Sequence, residues 1–494
     1  MKKITFHLAI LMLASSISLT ACSVNTAPEE KNDAQASSTE AAAEKETEPD
    51  VYEEGLKPLS EMKFDGAEFS ILTRNNEGFE MHQEELTGES TSDAVYNRNL
   101  AVESMYDVDI TVFEAGNWDN VTDTMRVSVL ANDMLYDLVG QTDFKTYAIV
   151  ESSLCGNWMD IPMLDKDARW WTSLANEEAT INGKLYTITG DLCLTNMLYL
   201  NVFFYNADRA HDYGITPESL QNSVFEGKWT FDELNSIIKS VYEDTNGDGI
   251  RDAEDFYGAL LSPNGTLDAW LTAFDQPLTD VSDDGHIEIV MFTDKTISAL
   301  EKVNTMYYEN NGSYNPGSWK DDDMDQLFKN DRGLFLPAWM NKARTVFSDM
   351  DSDYGILPYP KWDESQTDYY SLAGDQFTVL AFPINTPPSE YEFLGTITEA
   401  LTILSSRDVA PEFYDSALKG RYSLDANTAK IVDIIMAGRC FAFAFQYGNL
   451  VELPYMFRNC IMENSVNIAS AYQAKETMIG KQFEKIEEYY GLTD

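Results

Sequence analysis

Between Ala67 and Gly140 the chain alternates short apolar strands with amphipathic helices, an order that few folds accommodate. Ala67-Glu-Phe-Ser-Ile-Leu-Thr73 has the two-residue alternation of a half-buried strand and runs into a polar loop from Arg74 to Glu77. Ser92 to Tyr106 places apolar residues at helical spacing, and Val108 to Phe113 predicts a second strand. A helix near Asp119 to Asn132 then leads to a third strand, Tyr136 to Gly140. Parallel neighbours need a crossover between them, so this order predicts a parallel sheet built from βαβ units. Ligands of open α/β sheets sit beyond the carboxyl ends of the strands. Arg74 and Asn75 follow the first strand, and Gln141 and Asp143 follow the third, which makes all four candidate ligand contacts.

Beyond Leu185-Tyr-Thr-Ile-Thr189 and the apolar run Leu198 to Tyr205 the pattern changes. Helices are expected over Phe231 to Tyr242, Leu267 to Phe274 and Thr293 to Asn310. Strands are expected at Gly333–Leu336, Tyr354–Leu357 and Phe377–Phe382, with helices to the end and no internal repeat. A chain of 494 residues has room for two domains or one bilobal body.

The N-terminus reads as an address. Lys2 and Lys3 precede an apolar run, Ile4 to Ser18, too short to span a bilayer comfortably, followed by Leu19-Thr-Ala-Cys22. That tetrapeptide closely resembles the lipobox of bacterial lipoproteins, which implies that residues 1–21 are removed and Cys22 is lipidated. From Ser23 to Glu54 there are ten acidic residues against two basic, with no aromatic residue before Tyr52. Such a stretch buries too little apolar surface to fold and is extended by its own charge, so residues 22–62 are expected to form a disordered tether. The full chain carries 34 Lys and Arg against 83 Asp and Glu, a formal charge of −49. A body this acidic repels phosphate backbones, which excludes nucleic acid as a partner and leaves membrane attachment to the lipid. Apart from Cys22, the cysteines are Cys155, Cys193, Cys440 and Cys460, without CxxC spacing; export allows disulfides, and buried thiols are the alternative.

Asp244-Thr-Asn-Gly-Asp-Gly-Ile-Arg-Asp-Ala-Glu-Asp255 is the sharpest local motif. Asp244, Asn246, Asp248, Asp252 and Asp255 offer oxygens at loop positions 1, 3, 5, 9 and 12, Ile250 offers its carbonyl, and Gly249 sits at the sharp turn. Calcium is expected there in a structural role; Asp255 in place of the usual Glu resembles the loop of dockerins. Trp229-Thr-Phe-Asp-Glu-Leu234 reads as a helix start, with Thr230 and Glu233 as a capping box and Trp229 stapled to Leu234. Asp321 to Asp325 reads as a solvated helix start. G-x-S-x-G, H-E-x-x-H and the P-loop pattern are all missing, which argues against an enzyme, although 83 acids leave a glycosidase-type carboxylate pair available. Trp118, Trp270 and Trp339 lie in loops or at element ends, where an indole face can meet the C–H surface of a sugar, with core packing as the alternative.

Ile181 to Tyr186, Gly190-Asp191 and Val202-Phe-Phe-Tyr-Asn206 resemble the crossing between the lobes of the extracellular solute-binding proteins of ABC importers, family 1, the sugar-binding type. Trp229 to Leu234, Gly333 to Trp339, Tyr354 to Pro360 and Gln376 to Phe382 are similar to successive later segments of that family. Tyr205-Asn206-Ala207 departs from the Asn-Lys pair common after its crossing strand. The resemblance implies a two-lobed α/β fold of the type II periplasmic-binding-protein kind, with a cleft between the lobes. The first lobe would comprise 63–202 and 374–400, and the second 203–373 and 401–494. It also implies a non-enzymatic, lipid-anchored receptor on the outer face of the membrane, in a Gram-positive bacterium. That receptor would bind a carbohydrate, most simply an oligosaccharide, and pass it to ABC permease subunits. Trp339 lies where the resemblance places a cleft tryptophan, and Asp191 and Asp375 lie close to the crossings, where they would take sugar hydroxyls or fix the hinge. A surface glycoside hydrolase and a non-transporting adhesin are the competing classes.

Overall fold

The computed structural model describes residues 50–492 apart from 76, 283–284, 318–322 and 419–425. Cys22, the lipobox, most of the acidic stretch and Asp321 lie outside the described residues.

Helix α1 (Val51–Leu56) overturns part of the tether expectation: the acidic stretch becomes folded protein at Asp50, whose carboxylate caps α1 by accepting from the Tyr52 amide. Leu56 and Leu59 are buried in the first core and hold the segment down. Averaged over 22–62, these few apolar residues were outweighed by their acidic neighbours.

The first sheet is built as the alternation predicts. Strands β1 (Ala67–Thr73) and β2 (Val108–Glu114) pair in parallel from Ala67↔Val108 to Thr73↔Glu114. Strand β3 (Leu138–Thr142) adds in parallel at Ile71↔Leu138. Helix α2 (Ser90–Tyr106) links β1 to β2, and α3 (Trp118–Ala131) links β2 to β3, opened by an Asn117/Asn120 capping box and closed by Asn132 in the left-handed region. The fourth strand, Thr378–Ala381, is antiparallel to β3, so the sheet is mixed. Phe69 and Ile71 are fully buried against helix Tyr391–Leu404 and Trp158, Trp170 and Trp171, whereas Leu72 packs on the other face with Val121 and Met125 of α3. Glu399 of that helix accepts from Trp170 Nε1 at 2.9 Å and Trp171 Nε1 at 2.7 Å. Burial raises its carboxyl to about 7 despite those bonds.

Leu185–Thr189 leads into the crossing and is tied to the first sheet by the bridge Ile188↔Leu380. The second sheet is centred on β4 (Asn201–Asn206), buried at every residue and antiparallel to both Gly333–Trp339 and Tyr354–Leu357. Phe256–Leu260 extends it in parallel beyond Gly333–Trp339. Its core runs on through the C-terminal helices, from Phe413 to Tyr490. Two segments tie the two cores together, and one buried acid holds both: Glu80 accepts from the Thr195 amide at 2.9 Å and from Thr378 Oγ1.

Trp229 is fully buried, with Nε1 donating to the Pro358 carbonyl at 2.9 Å. Thr230 caps helix Phe231–Lys239 as predicted, but the Glu233 carboxylate accepts from Ser223 Oγ instead of returning to Thr230, so half of the capping box forms. Asp323 caps helix Met324–Lys329, the expected use of the acidic run. Cys155, Cys193, Cys440 and Cys460 are free thiols. Among the described residues no helix is long and apolar enough to cross a membrane.

Trp270 corrects a candidate contact. It is 0% exposed, with ring centroids 5.8, 5.5 and 5.0 Å from Phe203, Phe231 and Tyr359. Trp270→Ala should therefore lower the unfolding free energy by about 3–5 kcal/mol in a urea titration, as expected for a truncated core aromatic. Glu399 makes a second prediction. A carboxyl whose folded pKa lies near 7, above its ordinary 4.5, binds its proton more tightly when folded. Its contribution is therefore most favourable below pH 4.5, falls as pH rises to about 7 and is level above that. Glu399→Gln should flatten that part of the stability–pH curve measured by thermal melts.

Candidate functional site

The carboxyl ends of β1 and β3 face the start of β4 and the end of strand Gly333–Trp339 across a cleft, and the loops there supply its walls. On the first-lobe side Arg74 is 4% exposed and engaged from several directions. Its guanidinium donates to Thr142 Oγ1 and, at 2.7 Å, to the Gln376 carbonyl, and lies 3.9 Å from the Glu77 carboxylate. Glu77 accepts from Tyr199 Oη at 2.8 Å; burial raises its pKa, and the Arg74 charge opposes the rise. Trp118 opens α3 with its ring 36% exposed and edge-on to Phe144 at 5.4 Å. Arg74, Glu77, Trp118, Tyr199 and Gln376 line a small cavity of about 90 Å³.

On the second-lobe side a larger cavity of about 570 Å³ is lined by Trp339, Asn201, Thr266, Asp268, Asp375 and Arg458, among others. Gln376 lines both cavities. Trp339 ends its strand half-buried, its ring 5.1 Å from Tyr199 at an interplanar angle of 82°. Gly374 sits against the indole: a Cβ there would lie 2.8 Å from Trp339 Nε1, so this seat requires glycine. Asp325 pairs with Lys342 at 2.5 Å and Asp268 with Arg458 at 2.7 Å on the same wall. Burial raises the Asp268 carboxyl to about 8, with the Arg458 charge pulling the other way.

Arg74, Trp118, Trp339 and Asp375 thus line the cleft cavities, whereas the other candidates stand elsewhere. Gln141 is fully buried: its amide donates to the Trp118 carbonyl at 3.1 Å and Thr122 Oγ1 at 2.9 Å, so it positions the Trp118 turn from behind. Asn75 is exposed and accepts from the Gly116 amide at 2.7 Å, bracing the loop that carries Trp118. Asp143 is 2% exposed behind Asp375, bonded to the Gln446 side chain. Asp191 lies away from both cavities, held by Arg439 at 3.1 Å, which also donates to Asn196 in the crossing. Sequence reasoning missed Tyr199, Glu77, Asn201, Asp268 and Arg458. Tyr199 and Asn201 carried a signal as polar interruptions of the apolar run Leu198–Tyr205, but Arg458, on helix Met456–Met462, carried none.

The loop 244–255 is ordered by its own amides. Asp244 accepts from Gly247 and Gly249, Asn246 from Asp248, Asp248 from Ile250, and Asp252 from Glu254, at 2.7–3.0 Å. Asp255 is buried and accepts from Tyr242 Oη and the Thr245 amide. Among the described residues no three His, Cys, Asp or Glu side chains converge as a metal-holding group. The expected set draws two of its oxygens from elsewhere, the Asn246 side chain and the Ile250 carbonyl.

No family model matches the sequence, and no curated relative matches it. Solved structures do match its fold. A cyclo/maltodextrin-binding protein complexed with maltotetraose superposes with a TM-score of 0.57 at 14% identity, over 85% of this chain and 98% of that one. The cyclic alpha-maltosyl-1,6-maltose binding protein from Arthrobacter globiformis also gives 0.57, at 15% identity, over 85% of this chain and all (100%) of the other. UgpB from Mycobacterium tuberculosis, in complex with glycerophosphocholine, gives 0.53 at 11% identity, over 84% and 99%. The chain therefore has the two-lobed α/β fold of these binding proteins.

Proposed function

We propose that this protein is a lipid-anchored extracellular receptor that captures a carbohydrate, most simply an oligosaccharide, and delivers it to an ABC importer. The observation that carries the reading is the cleft itself. Trp118 lines the smaller cavity and Trp339 the larger, Gln376 borders both, and Asp, Asn and Arg side chains complete their walls. Indole faces take the apolar faces of sugar rings while polar groups take hydroxyls. The solved neighbours lend support, since two of them are named for binding maltodextrin-type sugars.

Ligand reaching both walls would favour the closed arrangement of the lobes by its differential affinity, a signal that permease subunits can read without covalent chemistry. Export and attachment through Cys22 to the outer face of a Gram-positive cell membrane rest on the lipobox resemblance. Labelling the expressed full chain with a palmitate analogue should mark it, and Cys22→Ala should abolish the mark and release the protein into the medium.

Titration of the purified body with a glycan panel should give saturable binding without turnover; products accumulating with time would establish the hydrolase instead. Trp339→Ala should weaken the best glycan about tenfold or more, equivalent to about 1.4 kcal/mol, with a smaller loss of stability than Trp270→Ala. Unchanged affinity would remove Trp339 from the site.

The loop 244–255 is proposed to take calcium in a structural role, on the spacing of Asp244, Asn246, Asp248, Ile250, Asp252 and Asp255. Binding to the folded state alone raises the melting temperature by mass action. Chelation should lower Tm and leave glycan affinity unchanged, and an unmoved Tm would exclude the ion.

A further inference from the structure

When the ion pairs of the cleft are matched, a carboxylate is left over. Asp268, Asp325 and Asp375 line the larger cavity, against two bases, Lys342 and Arg458. Lys342 is taken by Asp325 at 2.5 Å and Arg458 by Asp268 at 2.7 Å. Among the described residues the side-chain partner of Asp375 is a neutral one, Tyr455 Oη at 3.1 Å. Behind it stands Asp143, 2% exposed, with Oδ1 unpartnered and its charge opposed by that of Asp375. Arg74, across the cleft, is already engaged by Thr142, the Gln376 carbonyl and Glu77.

The cavity wall also carries acceptors that lack donors. Asn201, 1% exposed, donates its amide to the Leu372 carbonyl at 2.9 Å and leaves Oδ1 unpartnered. Asp268, with a side chain 10% exposed, likewise leaves Oδ1 unpartnered. Burial raises the pKa of Asp375, which Tyr455 and Arg458 only partly oppose.

A sugar hydroxyl would give Asp375 one donor and no charge, leaving its carboxylate with no cation bonded to it beyond the neutral Tyr455 hydroxyl. An ammonium brings three donors and the missing charge together, and a buried ion is stable when it is both paired and hydrogen-bonded. We propose that the cleft recognises an amine-bearing saccharide, its ammonium set against Asp375 with Asp143 behind. This rests on the carbohydrate reading and specifies the ligand class within it.

The test is calorimetry on the purified body with matched α- and β-linked oligosaccharides in neutral, N-acetylated and free-amine forms, and with spermidine. It is run at about pH 6, where a sugar amine is protonated. The free-amine form should bind about tenfold more tightly than its neutral and N-acetylated counterparts, and Asp375→Asn should erase that preference, read as the ratio of free-amine to neutral affinity within the variant. Equal or weaker binding of the amine form overturns the proposal, as does a preference retained in Asp375→Asn. A preference that vanishes at high salt is general attraction to an acidic protein and overturns it too, without need of the variant. Neutral glycans binding without an amine preference would leave the carbohydrate reading standing. Spermidine bound through Asp375 with no glycan bound would overturn the carbohydrate reading, and with it the saccharide assigned here.

Discussion

Glu80 sits where both crossing segments meet, and the two-lobed arrangement depends on how that buried charge is satisfied. Its carboxylate holds the Thr195 amide of one segment and Thr378 Oγ1 at the start of the returning strand. Burial, reinforced by the charge of Glu77, lifts its pKa to about 7. Beside it Arg98, also fully buried, donates to the carbonyls of Glu80 and Met81 and to Ser405 Oγ at 2.9–3.0 Å. Two ions withdrawn from water are tolerable because they lie close together and nearly every donor and acceptor is used.

From that knot a chain of contacts leads into the cleft. Three residues before Glu80, Glu77 accepts from Tyr199, which lies in the crossing between Thr195 and β4. Tyr199 presents its ring to Trp339, and its carbonyl accepts from the Gly374 amide at 2.8 Å. Trp339 is thereby held against both crossings although it belongs to the second sheet. A ring so placed lies at the junction that a hinge motion must deform.

How much of this the sequence disclosed depends on the kind of signal. The β1–α2–β2–α3–β3 order was legible because each element is long enough to show its period, and the cap at Thr230 has a local chemistry. The sense of Thr378–Ala381 was not legible, since a four-residue strand buried at every position carries no trace of its partner's direction. Gln141 was misplaced because β3 is likewise buried throughout, so a polar side chain near its end looked like a loop residue when it is a strut beneath Trp118. Trp270 and Trp339 show the limit most clearly. Both stand near the ends of apolar segments, and what separates a core indole from a cleft indole is the third element packed over it. For Trp270 that element includes Tyr359, distant in sequence; for Trp339 it is a glycine, Gly374, that leaves the ring uncovered on one side.

The acidity of the whole chain bears on the cleft as well. A chain at −49 repels anions at long range, so a cleft meant for them would need a surplus of local bases to overcome that field. Here the cleft bases are matched within the protein: Lys342 by Asp325, Arg458 by Asp268 and Arg74 by Glu77. None is held in reserve for a carboxylate or phosphate. The pairing instead fixes the side chains that shape the walls and leaves Asp375, bonded to the Tyr455 hydroxyl, without a base of its own.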